Sequence, residues 1–270
     1  MDTQQKLERL KKILTDMKSV AVAYSGGVDS TLVLKIAYDQ LGEHAIGVTA
    51  VSASLPAAEL EQAQSIAQQI GARHVLLTSH ETDDARYLAN TPDRCYFCKS
   101  EVYVELADYA RENGFAYLVD GTNADDASDH RPGRQAAREQ GVRSPLLEAG
   151  LTKVEIREIA RQVGLPNWDK PAAACLSSRI PYGTTITLEM LSQVEQAEQV
   201  LKRLGVRQAR VRHHQPVARI EVEPADFDTV LAHREEILRQ LEALGYGYVT
   251  LDLAGFRSGS LNKDLGSRGR

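Results

Sequence analysis

Apolar residues recur along the chain with two different periods, and their alternation predicts the architecture. Leu7, Leu10, Ile13, Leu14 and Met17 fall at helical spacing, so the N-terminus reads as an amphipathic helix. Residues 20–24, Val-Ala-Val-Ala-Tyr, form a short apolar run of the kind a parallel strand buries on both faces. A helix with an apolar face follows over 31–41, a strand over 45–51, a helix over 57–70 and a strand over 73–78. The spacing predicts a further helix over 99–113, stopped by Gly114, and a strand over 117–120 that runs into Gly121-Thr122-Asn123. Strands alternating with helices imply βαβ units, hence a mostly parallel sheet with helices on both faces and right-handed crossovers.

Residues 124–145 break the pattern. They are polar and poor in apolar side chains, and they read as a loop near the active site. Helical spacing resumes over 152–163, with Thr152 placed as the N-cap, Glu155 completing a capping box, and Gly164 and Pro166 ending the helix. From residue 179 on, the order becomes helix (187–204), strand (208–213), a turn at His214-Gln215-Pro216, strand (217–223), helix (224–244) and strand (248–253). The expected fold class is therefore α/β: a Rossmann-like parallel-sheet domain over 1–178, followed by a smaller α+β domain over 179–270. The chain after Phe256, rich in Gly and Ser, is expected to be disordered.

Composition narrows the function. With 270 residues, 43% hydrophobic and 26% charged, the chain can build a core without disulfides or a structural metal. No apolar run approaches the roughly 18 residues of a membrane span. The first helix lacks an apolar h-region and a cleavage site, so the cytoplasm is the expected location. A net charge of -5, from 32 basic and 37 acidic residues, argues against a protein whose main task is gripping nucleic acid.

Ser25-Gly26-Gly27-Val28-Asp29-Ser30 lies between a predicted strand and a predicted helix. There, backbone N–H groups and the helix dipole favour an anion, glycines allow close approach, and Ser25 and Ser30 add hydroxyls. A phosphate or pyrophosphate is the natural ligand. The string is neither a Walker loop nor the dinucleotide fingerprint.

Three cysteines are the second chemical signal. Cys95 and Cys98 form a C-x-x-C motif just ahead of the predicted helix, and Cys175 stands far along the chain in PAAACLSSRIPYG. Three readings stay open at this stage. Cys175 is a small buried hydrophobe; Cys95 and Cys98 are a redox pair, with Cys175 accepting persulfide sulfur; or all three thiolates hold a 4Fe–4S cluster with one iron open to substrate or sulfide.

SGGVDS matches the signature of the PP-loop ATP pyrophosphatases. Together with RCYFCK, LVDGTNADD, RPGRQAA, PAAACLSSRIPYG, ARVRHH, ARIEVE and GFRSGSLN, it makes almost the whole chain resemble the LarE family. That family resembles sulfur transferases that build the nickel-pincer nucleotide cofactor of lactate racemase. The resemblance implies an adenine nucleotide α-hydrolase-like fold, ATP, Mg²⁺ and release of pyrophosphate. It also implies adenylation of a carboxylate of pyridinium-3,5-biscarboxylic acid mononucleotide, which sulfur then converts to a thiocarboxylate.

In the best-known family pattern a single cysteine, matching Cys175, gives up its own sulfur. Resemblance to three-cysteine relatives implies instead a cluster on Cys95, Cys98 and Cys175 that delivers sulfide. It further implies that Arg210 and Arg212 hold the substrate phosphate. Glu198, Glu221 and, more weakly, Asp228 match acidic positions near the site. Asp125 and Asp126 are candidates for Mg²⁺. A homo-oligomer with a small mononucleotide substrate, no membrane and no nucleic acid is implied. A tRNA thiolase, an amidating ligase and a non-catalytic nucleotide sensor are the competing readings.

Overall fold

In the computed structural model, which describes residues 1–128, 132–171 and 173–257, the first helix buries the face its spacing predicts. Leu7, Leu10, Leu14 and Met17 of α1 (Thr3–Met17) are buried, and Asp2 caps its N-terminus in a capping box with Gln5. Four strands, β1 (Val20–Ala23), β2 (Ala45–Val51), β3 (Arg73–Thr78) and β4 (Tyr117–Val119), pair in parallel in the order β3-β2-β1-β4. The connecting helices are α2 (Val28–Leu41), α3 (Ala57–Ile70), α4 (Ala85–Leu88) and α5 (Arg94–Glu112), followed by α6 (Pro132–Glu139), α7 (Pro145–Ala149) and α8 (Lys153–Gln162).

One side of the sheet packs α1, α2, α7 and α8 around Leu10, Leu14, Val22, Leu32, Leu146 and Ile156. The other packs α5 and α6 around Ile46, Val48, Leu106 and Leu118. This is the α/β architecture expected, with apolar surface from both sheet faces covered by helices.

Two boundaries move. Helix α2 starts at Val28, so Asp29 and Ser30 lie in its first turn. Helix α5 starts at Arg94, so Cys95 and Cys98 are inside it. The polar stretch 124–145 is also not simply a loop, because it contains α6 and ends on Pro145, the first residue of the short α7. Helix α6 buries Ala136 and Ala137, an apolar face too small to register as a pattern.

Helix α8 begins as Thr152 and Glu155 predict, in a capping box. Glu155 also accepts two 2.8 Å hydrogen bonds from Lys6 of α1. Burial pushes the Glu155 carboxyl up, but the Lys6 and Thr152 hydrogen bonds outweigh it and hold the group down at about 2. A depressed carboxyl stabilises the fold fully above its unfolded value and loses that contribution as pH falls through its folded one. Glu155→Gln is therefore expected to cost about 1 kcal/mol near neutral pH. The gap to wild type should close between pH 4.5 and about 2, read from urea midpoints at each pH.

The chain divides into two compact units, Met1–Tyr87 with Asp93–Ala173, and Leu88–Pro92 with the chain from Ala174 on. This division places Cys175 in the second unit, where the sequence boundary at 178 puts it in the first. The second unit has a three-stranded sheet of β5 (Ala209–His214), β6 (Val217–Val222) and β7 (Tyr248–Leu251) in the order β5-β6-β7. The first pair is antiparallel and the second parallel.

Helices α9 (Leu188–Arg203), α10 (Phe227–Ala232) and α11 (Arg234–Ala243) belong to the same unit. They share a core of Ala197, Leu201, Val211, Ile220, Val230, Ile237 and Leu241. The helix expected over 224–244 is broken at His233. Asn90, fully buried, closes this unit from the Leu88–Pro92 segment. Its amide donates to the carbonyls of Ile180, Pro181 and Thr184 at 3.3, 2.8 and 3.0 Å. Its own carbonyl accepts from Gly183 N–H. The expected disorder of the tail concerns residues 258–270, which lie outside the described residues. No described helix is long and apolar enough to cross a membrane.

Candidate active site

Parallel strands send their following loops to one edge of the sheet, where open α/β folds bind ligands. The Ser25–Ser30 loop leaves β1 there, and Asp120-Gly121-Thr122 leaves β4 beside it. Two glycines set this geometry. Gly26 has φ +68°, and a Cβ on it would stand 2.7 Å from the Ala63 Cβ of α3. A Cβ on Gly121 would stand 2.7 Å from the Ser30 backbone nitrogen, so only glycine lets the two loops touch.

The loop is closed on itself. Ser25 N–H donates to Ser30 Oγ at 3.2 Å, and Ser30 Oγ donates to the Gly27 carbonyl at 3.2 Å. Asn167 donates to the Gly26 carbonyl and to Thr31 Oγ1, both at 3.0 Å. Lys170 reaches the same carbonyl at 3.4 Å and pairs with Glu59 at 2.7 Å. On the other side Asp120 accepts from the Thr122 backbone N–H and from the hydroxyls of Thr122, Ser144 and Tyr103. Burial pushes the Tyr103 phenol up to about 12, so it stays a neutral donor.

Asp29 is the one carboxylate of the Ser25–Ser30 loop. Its Oδ2 pairs with Lys153 Nζ, while its Oδ1 is buried with no hydrogen-bond partner among the described residues. An unsatisfied buried carboxylate oxygen costs about 1–3 kcal/mol or more. A cation would satisfy it, and Mg²⁺ characteristically binds through one or two carboxylates plus nucleotide phosphates.

Asp125 accepts from the Lys153 backbone N–H at 2.7 Å, so Lys153 joins it to Asp29. Asp126 accepts from Asn123 N–H at 3.2 Å. These two carboxylates are engaged in holding the turn after β4 and the start of α8. An open groove of about 410 Å³ near Gln68, Arg73 and His74 lies at the other end of the sheet and is not part of this site.

Cys95 and Cys98 lie in the first two turns of α5, three residues apart and so on neighbouring positions of the helix surface. None of the three cysteines is in a disulfide; Cys95 is exposed, Cys98 and Cys175 half-buried. Among the described residues no group of three or more His, Cys, Asp or Glu side chains is arranged to hold a metal ion.

Cys175 caps a 3-10 turn, Leu176–Arg179, in the second unit. Arg179, 2% exposed, donates to the carbonyls of Ala174 and Cys175 at 2.7 and 2.9 Å. The same guanidinium makes a two-point pair with Glu198, at 2.7 and 2.8 Å. Glu198 also accepts from Val211 N–H of β5. Arg212 is built in the same way. It is buried, donates to the Ser178 carbonyl at 2.7 Å and pairs with Glu221, which Arg219 contacts from its other oxygen.

The family model for asparagine synthase matches residues 8–125, the stretch that contains the loop and all four strands of the first sheet. An uncharacterized protein of Synechocystis is 49% identical over 97% of this chain and 98% of its own length. The pyridinium-3,5-bisthiocarboxylic acid mononucleotide synthase of Lactiplantibacillus plantarum is 44% identical over 93% of this chain and 92% of its own. The chain belongs to the LarE family. A tRNA-specific 2-thiouridylase of Rickettsia felis is also similar, at 28% identity, but over only 57% of this chain and 52% of its own length.

As a LarE protein the chain is an ATP-dependent sulfurtransferase of the PP-loop class, and it uses ATP and Mg²⁺. The structure brings Ser25, Gly26, Gly27, Asp29, Ser30, Asp125 and Asp126 of this LarE chain into one region of the first unit. In the second unit it gathers Cys175, Arg212, Glu198 and Glu221. Arg210 stands on the same strand, half-buried, with its guanidinium 5.4 Å from the Phe256 ring. Asp228 is exposed on the first turn of α10. A solvated surface role does not describe Glu198 or Glu221, which are 4% and 0% exposed.

Sequence reasoning passed over Lys153, Asn167 and Arg179. For Lys153 a signal exists, a cation at the first position of a capped helix beside an acidic loop. Arg179 is the last residue of the LSSR string after Cys175, and nothing local distinguishes it from a surface arginine.

Proposed function

We propose that this enzyme adenylates a carboxylate of pyridinium-3,5-biscarboxylic acid mononucleotide and exchanges the activated oxygen for sulfur. The carboxylate attacks the α-phosphate of ATP and pyrophosphate leaves. Sulfide then attacks the acyl carbon, AMP leaves, and a thiocarboxylate remains. Two rounds give the dithio product that names the relative from L. plantarum.

The supporting observation is that similarity to this synthase runs through both units, whereas similarity to the tRNA thiouridylase covers little more than half the chain. The loop of Ser25–Ser30 would bind the phosphates through backbone N–H groups that a helix start leaves unpaired. Asp29 Oδ1 would take Mg²⁺, and Lys153, released from Asp29, would neutralise charge on the departing pyrophosphate.

For the sulfur source we propose a 4Fe–4S cluster held by Cys95, Cys98 and Cys175. The C-x-x-C pair and the distant third cysteine, none of them buried or in a disulfide, support this reading. Bound by these three thiolates, such a cluster would supply sulfide at the iron that no protein thiolate holds. The rival source is the sulfur of Cys175 itself.

The test supplies anaerobic enzyme with ATP and either the biscarboxylic mononucleotide or tRNA, and measures AMP, pyrophosphate and thiolated product. AMP and thiocarboxylate formed only with the mononucleotide are the expected result. Thiolated tRNA, or no turnover with the mononucleotide, overturns the proposal.

A further inference from the structure

The turn that Cys175 caps is four residues long, yet carbonyls in it and just ahead of it are held by two buried guanidiniums. Arg179 takes the carbonyls of Ala174 and Cys175 as well as Ser178 Oγ, and Arg212 takes the carbonyl of Ser178. Each guanidinium is locked from behind by a buried carboxylate, Glu198 or Glu221. Glu198 is tied in turn to the backbone of β5 through Val211 N–H at 3.0 Å.

This arrangement is expensive if stability were its purpose. Two buried ion pairs carry a large desolvation cost, and apolar side chains of similar volume often stabilise a fold as well or better. What a buried, doubly engaged guanidinium adds is direction. Its donors lie in one plane at fixed angles, so they fix where the accepting carbonyls point. Fixing the carbonyls on both sides of the Cys175 Cα fixes the Cα–Cβ bond as well.

We infer that Arg179, backed by Glu198, is a positioning residue that sets the orientation of Cys175 for sulfur transfer. This rests on the reading above that Cys175 serves the acyl group, whether as cluster ligand or as donor. Arg179 touches no reacting atom in this account and acts through the backbone of the cysteine. A misplacement of about 1 Å at a reacting group can cost about 10²-fold in rate, which is the scale such a clamp has to control.

Two measurements test it, on the full chain. The first is the rate of Cys175 alkylation by iodoacetamide across pH, read by peptide mass spectrometry with substrate absent. The second is thiocarboxylate formation in a single turnover. Arg179→Lys keeps the charge but loses the fork, and Glu198→Gln keeps the shape but loses the pairing. Both are expected to change the alkylation profile and to slow thiocarboxylate formation by about 10–100-fold.

Val200→Ala is the control. It hollows the core of the second unit but removes no polar atom from the bonds that hold Arg179 and the Cys175 turn, and is expected to lower the melting temperature with no change in Cys175 reactivity. Wild-type alkylation and product formation in folded Arg179→Lys overturn the inference. So does a Val200→Ala protein whose Cys175 reactivity shifts as much, because the clamp would then be only part of a stable core. If wild type itself makes no thiocarboxylate, the proposed substrate is wrong, and the alkylation measurement still decides whether Arg179 orients the cysteine.

Discussion

Asp29→Ala is expected to lower pyrophosphate release by about 10³-fold, equivalent to about 4 kcal/mol of transition-state stabilisation. The group removed is the one carboxylate of the Ser25–Ser30 loop. One of its oxygens faces Lys153 and the other is buried without a partner among the described residues. A native site that keeps an unsatisfied carboxylate oxygen at a helix start is carrying a cost that a bound cation would relieve. Helix α2 has thirteen other residues and a buried face to hold it, so the variant should fold. Its circular dichroism should match wild type while ATP turnover is lost. A folded Asp29→Ala protein that releases pyrophosphate at the wild-type rate would show that the ion is held elsewhere.

The second large effect concerns sulfur. Cys175→Ala is expected to abolish thiocarboxylate formation under either sulfur source. Cys95→Ala and Cys98→Ala separate the sources. If three thiolates hold a cluster, each of these two variants loses iron and multiple turnover. If Cys175 is consumed, each still completes one turnover, and Cys175 afterwards lacks the mass of one H₂S. An intact Cys175 in wild type with more than one product per protein supports the cluster. Full activity of iron-free, anaerobically prepared wild type removes it from the mechanism.

Much of the larger sheet is legible in the sequence because its strands are short β-branched runs with hard stops. Pro56 and Gly71 bound α3, and the strands on either side begin and end where the apolar runs do. Helix α6 is not legible, since two buried alanines in a polar segment carry no periodic signal. The start of α5 is missed for a related reason: Arg94 is buried at 2% exposure, and a buried arginine reads as a polar linker.

The loop motif locates the phosphate site, but not Lys153, which arrives from 124 residues away. The clamp on Cys175 is less accessible still. Glu198 lies 19 residues beyond Arg179, and Arg179's other bonds go to backbone carbonyls, which are present at every position and so leave no mark on residue identity. Ion pairs of this kind are properties of the folded chain alone.

The placement of Asn90 limits how this protein can be taken apart. The second unit is completed by a five-residue piece of chain inserted from far upstream, and Asn90 satisfies three carbonyls on the segment just past the Cys175 turn. A fragment beginning at Ala174 would leave those acceptors bare. It would have every strand and helix of the smaller sheet and still lack the clasp beside its reactive turn. On a ribosome Asn90 emerges 94 residues ahead of Thr184, the last of its three carbonyl partners. Gene fusion, truncation or exchange at the visible sequence boundary therefore cuts through a compact unit and strands its upstream clasp on the other piece.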